Sequence, residues 1–257
     1  MDINKRRNKI REMLSVREYI TVEEFSRSLK VSAVTIRTDL SALETEGILR
    51  RTHGGAMRSE DKIQERMISN TLGEYANEKK AVAKRASSFI REGSTVIIDS
   101  GSTAIHVLDE IEDINFTVVT NNILAIEKIK DRPNIDLMVV GGSLNKSRMG
   151  TIGPIAIKTL KQLNVDLYFM GATAYNDDVI SSSDITEAEL KSVMMESADK
   201  VVFLADSSKY GKKAFATVST WNDIDCFISD SVDEKFRNKL EEMGVEVIEA
   251  VVEGKSS

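Results

Sequence analysis

Ile10, Met13 and Leu14 recur at helical spacing behind a basic run, and the pattern predicts a first helix over residues 4–16. Thr21-Val22-Glu23-Glu24 has the form of a capping box, in which a hydroxyl and a carboxylate satisfy the free amides of a helix start. A short second helix is therefore expected over 22–29. Lys30-Val31 makes a turn, and Ser32 is placed to cap a third helix whose Ile36, Leu40 and Leu43 form an inward stripe at i, i+4 and i+7 before Gly47 stops it. Next comes an apolar pair, Ile48-Leu49, then Arg50-Arg51-Thr52-His53-Gly54-Gly55-Ala56, basic positions followed by a Gly-Gly turn, which reads as a β-wing.

From Glu74 the pattern changes. A helix carrying Ala81, Val82, Ala86, Phe89 and Ile90 closes at Gly93, and short apolar runs then alternate with helical stretches. Strands are expected at 95–98, 116–119, 135–140, 165–170, 201–205, 224–228 and 245–248. Helices between most of them imply a largely parallel sheet covered on its faces, the α/β class, in which ligands bind beyond the carboxyl ends of the strands. Between the two patterns the chain is polar and has no sustained apolar stripe. The expected organisation is a small helical module over 3–58, a linker over 59–73 and an α/β domain over 74–252.

Two short helices joined by a tight turn, the second capped and stripe-packed, are the helix-turn-helix arrangement whose second helix enters the major groove of DNA. With Ile36, Leu40 and Leu43 inward, Ala33, Val34, Thr35, Arg37 and Thr38 point outward or flank the core. Small residues permit close approach to base edges, Thr and Val methyls can touch thymine methyls, and Arg can bond guanine or phosphate. Thr21 and Ser32 at the helix starts, with Arg50, Arg51, His53 and Gly54 of the wing, complete the candidate DNA-binding set. A three-helix module used only for protein contacts is the competing reading.

Charge sharpens this picture. The 257-residue chain is net −6 overall, but residues 1–58 hold twelve Lys+Arg against eight Asp+Glu, net +4, and the remainder is net −10. Only the first module is suited to meet a polyanion. The lone Cys226 cannot form an intramolecular disulfide, and with two histidines far apart in sequence there is no metal-ligand spacing. No apolar run reaches the length of a membrane span and the N-terminus is polar, so a cytoplasmic protein is expected. The absence of Gly-x-Gly-x-x-Gly after a strand and of a Walker A sequence leaves no cofactor indicated.

The strand ends of the large domain are consistently small and polar. The first gives Asp99-Ser100-Gly101-Ser102-Thr103 leading into a helix, where amides, hydroxyls and a helix N-terminus would converge on an anion. Others end in Thr120-Asn121-Asn122, Gly141-Gly142, Gly171-Ala172 and Asp206-Ser207-Ser208-Lys209. Any one of these serves as an ordinary turn, but five on one rim argue for a ligand site. The candidate effector residues are Asp99, Ser100, Gly101, Ser102, Thr103, Asn121, Gly141, Gly142 and Gly171. To them are added Lys146, Arg148, Lys191 and Lys209 as cations and Glu187 and Asp206 as hydrogen-bond acceptors.

Val31-Ser32, Thr35-Ile36-Arg37, Asp39-Leu40, Leu43-Glu44, Gly47 and Arg51-Thr52-His53-Gly54-Gly55-Ala56 resemble the winged helix-turn-helix signature of the DeoR family of bacterial transcriptional regulators. One departure stands out: the family commonly has a second Arg after the one matching Arg37, and here it is Thr38. The Asp99–Thr103 loop, Gly141-Gly142, Thr186-Glu187 and Asp206-Ser207-Ser208-Lys209 likewise resemble the DeoR-type effector domain, which is similar in fold to ribose-5-phosphate isomerase. The resemblance implies a repressor of sugar metabolism that binds double-stranded operator DNA and a phosphorylated sugar. In the isomerases a strand ends in Gly-Ala followed by acids, whereas Gly171-Ala172-Thr173-Ala174 has none, so the catalytic acid–base pair is expected to be missing.

Two other readings compete: a sugar-phosphate isomerase with an accessory DNA-binding module, and a scaffold DNA-binding protein without effector. The second leaves the polar strand ends unexplained. A single winged module contacts a short half-site, so a homo-oligomer, dimer or tetramer, is expected, assembled by the large domain. Whether the linker or a subunit interface carries the effector signal is open at this level.

Overall fold

A computed structural model of the chain describes residues 3–17, 19–45, 48–52, 54–58 and 67–252. The chain divides into two compact units, Met1–Gln64 and Glu65–Ser257.

In the first unit, α1 (Ile3–Val16), α2 (Val22–Leu29) and α3 (Ala33–Thr45) pack with a small antiparallel sheet of β1 (Tyr19–Thr21), β2 (Leu49–Arg51) and β3 (Gly55–Arg58), in the order β1-β3-β2. The core consists of the residues that the helical periodicity selects: Ile10 and Leu14 from α1, Phe25 and Leu29 from α2, Ile36, Leu40 and Leu43 from α3, closed by Ile20, Leu49 and Ala56 of the sheet. The Thr21–Glu24 capping box is formed. β1 is an addition to the sequence reading, because three residues are too short for alternation to show. It pairs Thr21 with Gly55, so the wing is three-stranded.

The turn between α2 and α3 holds Lys30 at φ 54°, ψ 44°, a left-handed backbone at the helix C-cap. A side chain there costs roughly 1–2 kcal/mol relative to an unstrained position, and glycine removes that cost while losing some chain entropy. Lys30→Gly should therefore stabilise the first unit by about 0.5–1 kcal/mol, read as a higher calorimetric melting temperature.

In the second unit seven strands form one sheet: β4 (Thr95–Ile98), β5 (Phe116–Thr120), β6 (Ile135–Val139), β9 (Leu167–Met170), β12 (Val201–Leu204), β14 (Cys226–Ser229) and β15 (Glu246–Glu249). Their order is β15-β14-β12-β9-β4-β5-β6, and every neighbouring pair is parallel. Successive side chains alternate between two cores. Val96 and Ile98 face α5 (Ala76–Ser87), a 3-10 helix (Ala104–Asp109) and α6 (Leu124–Ile129). Ile97 and Tyr168 face α7 (Pro154–Leu160), α8 (Ile185–Glu196) and α9 (Glu234–Glu242). The hairpin β7 (Ser143–Asn145) and β8 (Gly150–Ile152), and the antiparallel trio β10 (Ala174–Tyr175), β11 (Val179–Ser182) and β13 (Ala216–Thr220), lie outside that sheet.

Three expectations are corrected. Part of the segment read as linker, 59–73, is a short helix, α4 (Ile68–Leu72), with Ile68 buried. Residues 59–66 lie outside the described ones. The segment after Thr103 is the 3-10 helix Ala104–Asp109, and no side chain caps it, so no α-helical N-terminus is aimed at the Asp99–Thr103 loop. The Gly93 expected to close the first helix of this unit instead follows it by several residues, since α5 ends at Ser87.

Candidate functional site

Because all seven strands run parallel, the ends of β4, β5, β9 and β12 open on the same rim, and the side chains that follow them converge. Asp99 is almost fully buried, and its carboxylate accepts the Gly101 amide, the Gly171 amide at 2.8 Å and the Tyr168 hydroxyl at 3.3 Å. Lys191, equally buried on α8, forms an ion pair with it. The same ammonium lies 3.5 Å from Glu187, one helical turn earlier, so α8 delivers both residues to the rim at i and i+4.

Glu187 also accepts Ser182 Oγ at 2.6 Å and faces Arg148 Nε at 3.7 Å. Arg148 reaches in from the β7–β8 hairpin and donates to Thr173 Oγ1 at 2.9 Å and Ser183 Oγ at 3.3 Å. On the other side, Lys209 donates to the Ala172 carbonyl at 3.0 Å and lies 3.9 Å from Asp206. Three carboxylates and three cations thus alternate across a buried surface.

Their electrostatics follow from position. Burial raises the Glu187 carboxyl, but Lys191 and Arg148, with the Ser182 hydrogen bond, outweigh it and hold the group below its ordinary value. Burial, reinforced by the Asp99 charge, pushes the Tyr168 hydroxyl well above the tyrosine range, so it remains a donor. Burial lowers the Lys209 ammonium; Asp206 opposes that and the Arg148 charge adds to it.

Close approach of backbone shapes the rim. A Cβ on Gly101 would sit 3.2 Å from the Gly171 Cα, and one on Gly150 would sit 2.8 Å from the Ser100 Cβ. Asn121 donates to the Thr151 carbonyl at 3.0 Å and lies 3.5 Å from Ser100 Oγ, which ties the end of β5 to the hairpin. Ser102 and Thr103 are buried. Thr103 Oγ1, Asn121 Oδ1 and Asp206 Oδ2 are buried with no hydrogen-bond partner.

Most of the effector residues selected from sequence are therefore brought together. Gly141, Gly142 and Lys146 are not: they are exposed around β7, and no hydrogen bond or ion pair joins them to the cluster among the described residues. Gly142 has a structural reason of its own, at φ 151° with a would-be Cβ 2.6 Å from the Ile152 carbonyl. The expectation that no acid stands by Gly171 holds for the adjacent sequence only, since Asp99 supplies a carboxylate from the neighbouring strand. Tyr168, Thr173, Ser182 and Ser183 were missed. For Tyr168 a signal existed, because a tyrosine within an apolar strand covered on both faces needs a partner for its hydroxyl.

In the first unit, Ser32 caps α3, accepting the Thr35 amide at 3.1 Å, and Thr21 is occupied by its capping box. Thr38 and Ser41 hydrogen-bond back to the carbonyls of Val34 and Arg37. Val34 is 69% exposed, and Arg37 is exposed, so the outer face of α3 presents an apolar contact beside a cation. Arg51 donates to Ser41 Oγ, and its amide is held by Glu44 at 2.8 Å, which fastens β2 to α3. Asp39, buried, accepts Arg6 at 2.5 Å and Arg7 at 3.3 Å and clamps α1 to α3. Ala33 is half-buried at the start of α3 and Gly54 is exposed in the wing turn. Arg50 lies in β2, and the His53 expectation falls outside the described residues.

Comparison with known proteins matches residues 74–231 to the DeoR C terminal sensor domain and residues 6–62 to the DeoR-like helix-turn-helix domain. The HTH-type transcriptional regulator GolR of Listeria innocua is 33% identical over 250 residues, covering 94% of this chain and 96% of the relative. The HTH-type transcriptional repressor GlcR of Bacillus subtilis is 29% identical, covering 93% of each chain. Among solved structures, ribose 5-phosphate isomerase A of Methanocaldococcus jannaschii matches at a TM-score of 0.35 and 19% identity over 55% of each chain. Among the described residues, no helix is long and apolar enough to cross a membrane.

Proposed function

The chain belongs to the DeoR family of helix-turn-helix transcriptional regulators, and from that premise we propose that it is a repressor whose operator affinity is set by a phosphorylated sugar bound at the rim of the large domain. The observation that carries the ligand is the set of unmade hydrogen bonds. Buried polar atoms are nearly always partnered, yet Thr103 Oγ1, Asn121 Oδ1 and Asp206 Oδ2 are not, and all three follow ends of the parallel strands. Beside Asp206, Lys209 has lost hydration to burial, with the Ala172 carbonyl at 3.0 Å and the Asp206 carboxylate at 3.9 Å in return. A phosphate would supply the missing counter-charge, and sugar hydroxyls would occupy the open acceptors.

The rim favours holding such a ligand over transforming it. Proton transfer between carbons needs a carboxylate free to take a proton near neutral pH. Asp99 and Glu187 share the Lys191 ammonium, and Glu187 is held in its ionised form, a weak base. Specific operator binding would use α3 in the major groove and the wing along the backbone, in a dimer or tetramer that presents two or more modules.

Operator affinity, measured on DNA from upstream of the gene across a salt series with and without a panel of sugar phosphates, tests this. Coupling between two sites is typically about 1–3 kcal/mol, so an active compound should change the affinity roughly 5–150-fold. Lys209→Ala should reduce that response at least tenfold while operator affinity without ligand stays within threefold of wild type. An unchanged response in Lys209→Ala and Ser102→Ala would overturn the site, and indifference of the wild type to every compound would overturn the ligand class.

A further inference from the structure

We propose that the hairpin turn at residues 146–149 is a latch through which the rim controls the segment leading to the DNA-binding unit. This deepens the reading of the rim as an anion-sensing site and rests on it.

The turn joins β7 to β8 and is stiff. Asn145 Oδ1 accepts both the Ser147 amide at 2.9 Å and the Arg148 amide at 3.1 Å. Met149 has a left-handed backbone at φ 52°, and its carbonyl accepts the Ile123 amide at 2.8 Å. On its inner side the turn sends the Arg148 guanidinium to Thr173, Ser183 and Glu187. On its outer side the Ser147 carbonyl accepts the Ile68 amide at 2.6 Å.

The Ser147 carbonyl and the Arg148 amide belong to one planar peptide unit. That plane is held on one edge by Asn145 and holds Ile68 on the other. A movement of the Arg148 backbone therefore tilts the acceptor on which Ile68 depends.

Ile68 opens α4, its side chain is buried, and α4 is where the chain coming from the DNA-binding unit through residues 59–66 enters the large domain. The far end of α4 is also fastened: the buried Lys79 on α5 donates its ammonium to the Thr71 carbonyl. With the Lys79 end fixed, the Ile68 end is the one that the pocket can release. An anion beside Lys209 competes with Glu187 for Arg148, since a guanidinium binds phosphate and carboxylate in the same planar mode. Turning Arg148 toward that anion withdraws or redirects the Ser147 carbonyl. A ligand that binds one setting of this peptide more tightly than the other shifts the balance between them.

Two variants test the latch on the full-length chain. Arg148→Gln, without any ligand, should raise hydrogen–deuterium exchange of the 67–72 amides at least tenfold, while β4 and β9 exchange as in wild type and Trp221 emission reports an intact core. Ile68→Pro removes the donor amide and trims the buried side chain to about the size of valine's, and proline suits the first position of a helix. Operator affinity is then measured with D-ribose 5-phosphate, D-glucose 6-phosphate and D-fructose 1-phosphate as probes. The ratio with and without the effective probe should fall at least fivefold toward unity in Ile68→Pro, and Ile68→Val, which keeps the amide, should retain it. Wild-type protection of 67–72 in Arg148→Gln, or a wild-type ratio in Ile68→Pro, would overturn the latch. The exchange measurement needs no ligand, so a wild type that ignores all three probes strikes the sensing site alone.

Discussion

Lys191→Met should destabilise the large domain by about 3–5 kcal/mol at pH 7, the range for removing one partner of a buried ion pair. Methionine fills similar space, so the loss is electrostatic. Among the described residues, Asp99 keeps the Gly101 and Gly171 amides and the Tyr168 hydroxyl but loses the cation paired with it, and Glu187 keeps Arg148 and Ser182. The pH dependence carries the diagnosis. In wild type the Glu187 carboxyl lies below its ordinary value of 4.5, so its contribution is complete above that pH and is lost as the pH falls through the folded-state value. In the variant burial is no longer outweighed by Lys191, protonation becomes the cheaper state, and stability returns as the pH falls from 7 toward 4.5. The gap between wild type and variant should therefore be smaller at pH 5 than at pH 7, measured by denaturant unfolding followed through Trp221, the chain's single tryptophan, buried in this domain. A gap below 1 kcal/mol, or one independent of pH, would show that the network is not held as an ion pair.

That network shows what a linear sequence conceals. The seven strands of the large sheet were legible because parallel strands covered on both faces read as unbroken apolar runs, and Val201–Leu204 and Cys226–Ser229 are buried at every position. The rim was legible as a class of residue, small and polar after each strand. Which member touches which was not: Asp99 meets Lys191 across 92 residues, and Arg148 meets Ser183 across 35. Gly141-Gly142 matched the same composition, yet Gly142 serves the approach of β8, since φ 151° and a neighbouring carbonyl exclude a side chain there without any ligand. β1 and β7, three residues each, are set by their pairing partners rather than by their own pattern. The 3-10 helix after Thr103 illustrates the opposite failure, a segment, Ala104-Ile105-His106-Val107-Leu108, whose largely apolar composition suits a helix but does not distinguish the short 3-10 form from the α form.

Gly55→Ala should disrupt the wing and abolish specific operator binding while the large domain stays folded. The glycine is required by proximity and not by a left-handed backbone. β1 runs so close to β3 that a Cβ at position 55 would stand 2.8 Å from the Thr21 Cα, closer still to the Ile20 carbonyl, and 3.0 Å from the Tyr19 hydroxyl. Two of those neighbours are backbone, so relief requires β1 to leave its register, in which Thr21 pairs with Gly55 and Ile20 with Ala56. Displacing β1 moves Ile20 away from Ala56, its partner on β3, and out of the core it shares with Phe25 and Leu40, and it moves Thr21 away from the start of α2, which it caps. Overpacking of this kind costs typically about 1–3 kcal/mol, and loss of the cap adds about 1. A unit of some 60 residues has little stability in reserve, so the first unit of Gly55→Ala should be largely unfolded at 37 °C. The neighbouring glycine supplies the control: a Cβ on Gly54 meets only the Tyr19 hydroxyl, at 3.5 Å, an ordinary contact. Calorimetry of the two variants should show the lower-temperature transition lost in Gly55→Ala and kept in Gly54→Ala, with unfolding of the large domain, followed through Trp221, unchanged in both. Equal melting of the first unit in the two variants would mean that β1 yields without cost, and that the wing geometry does not depend on the missing side chain.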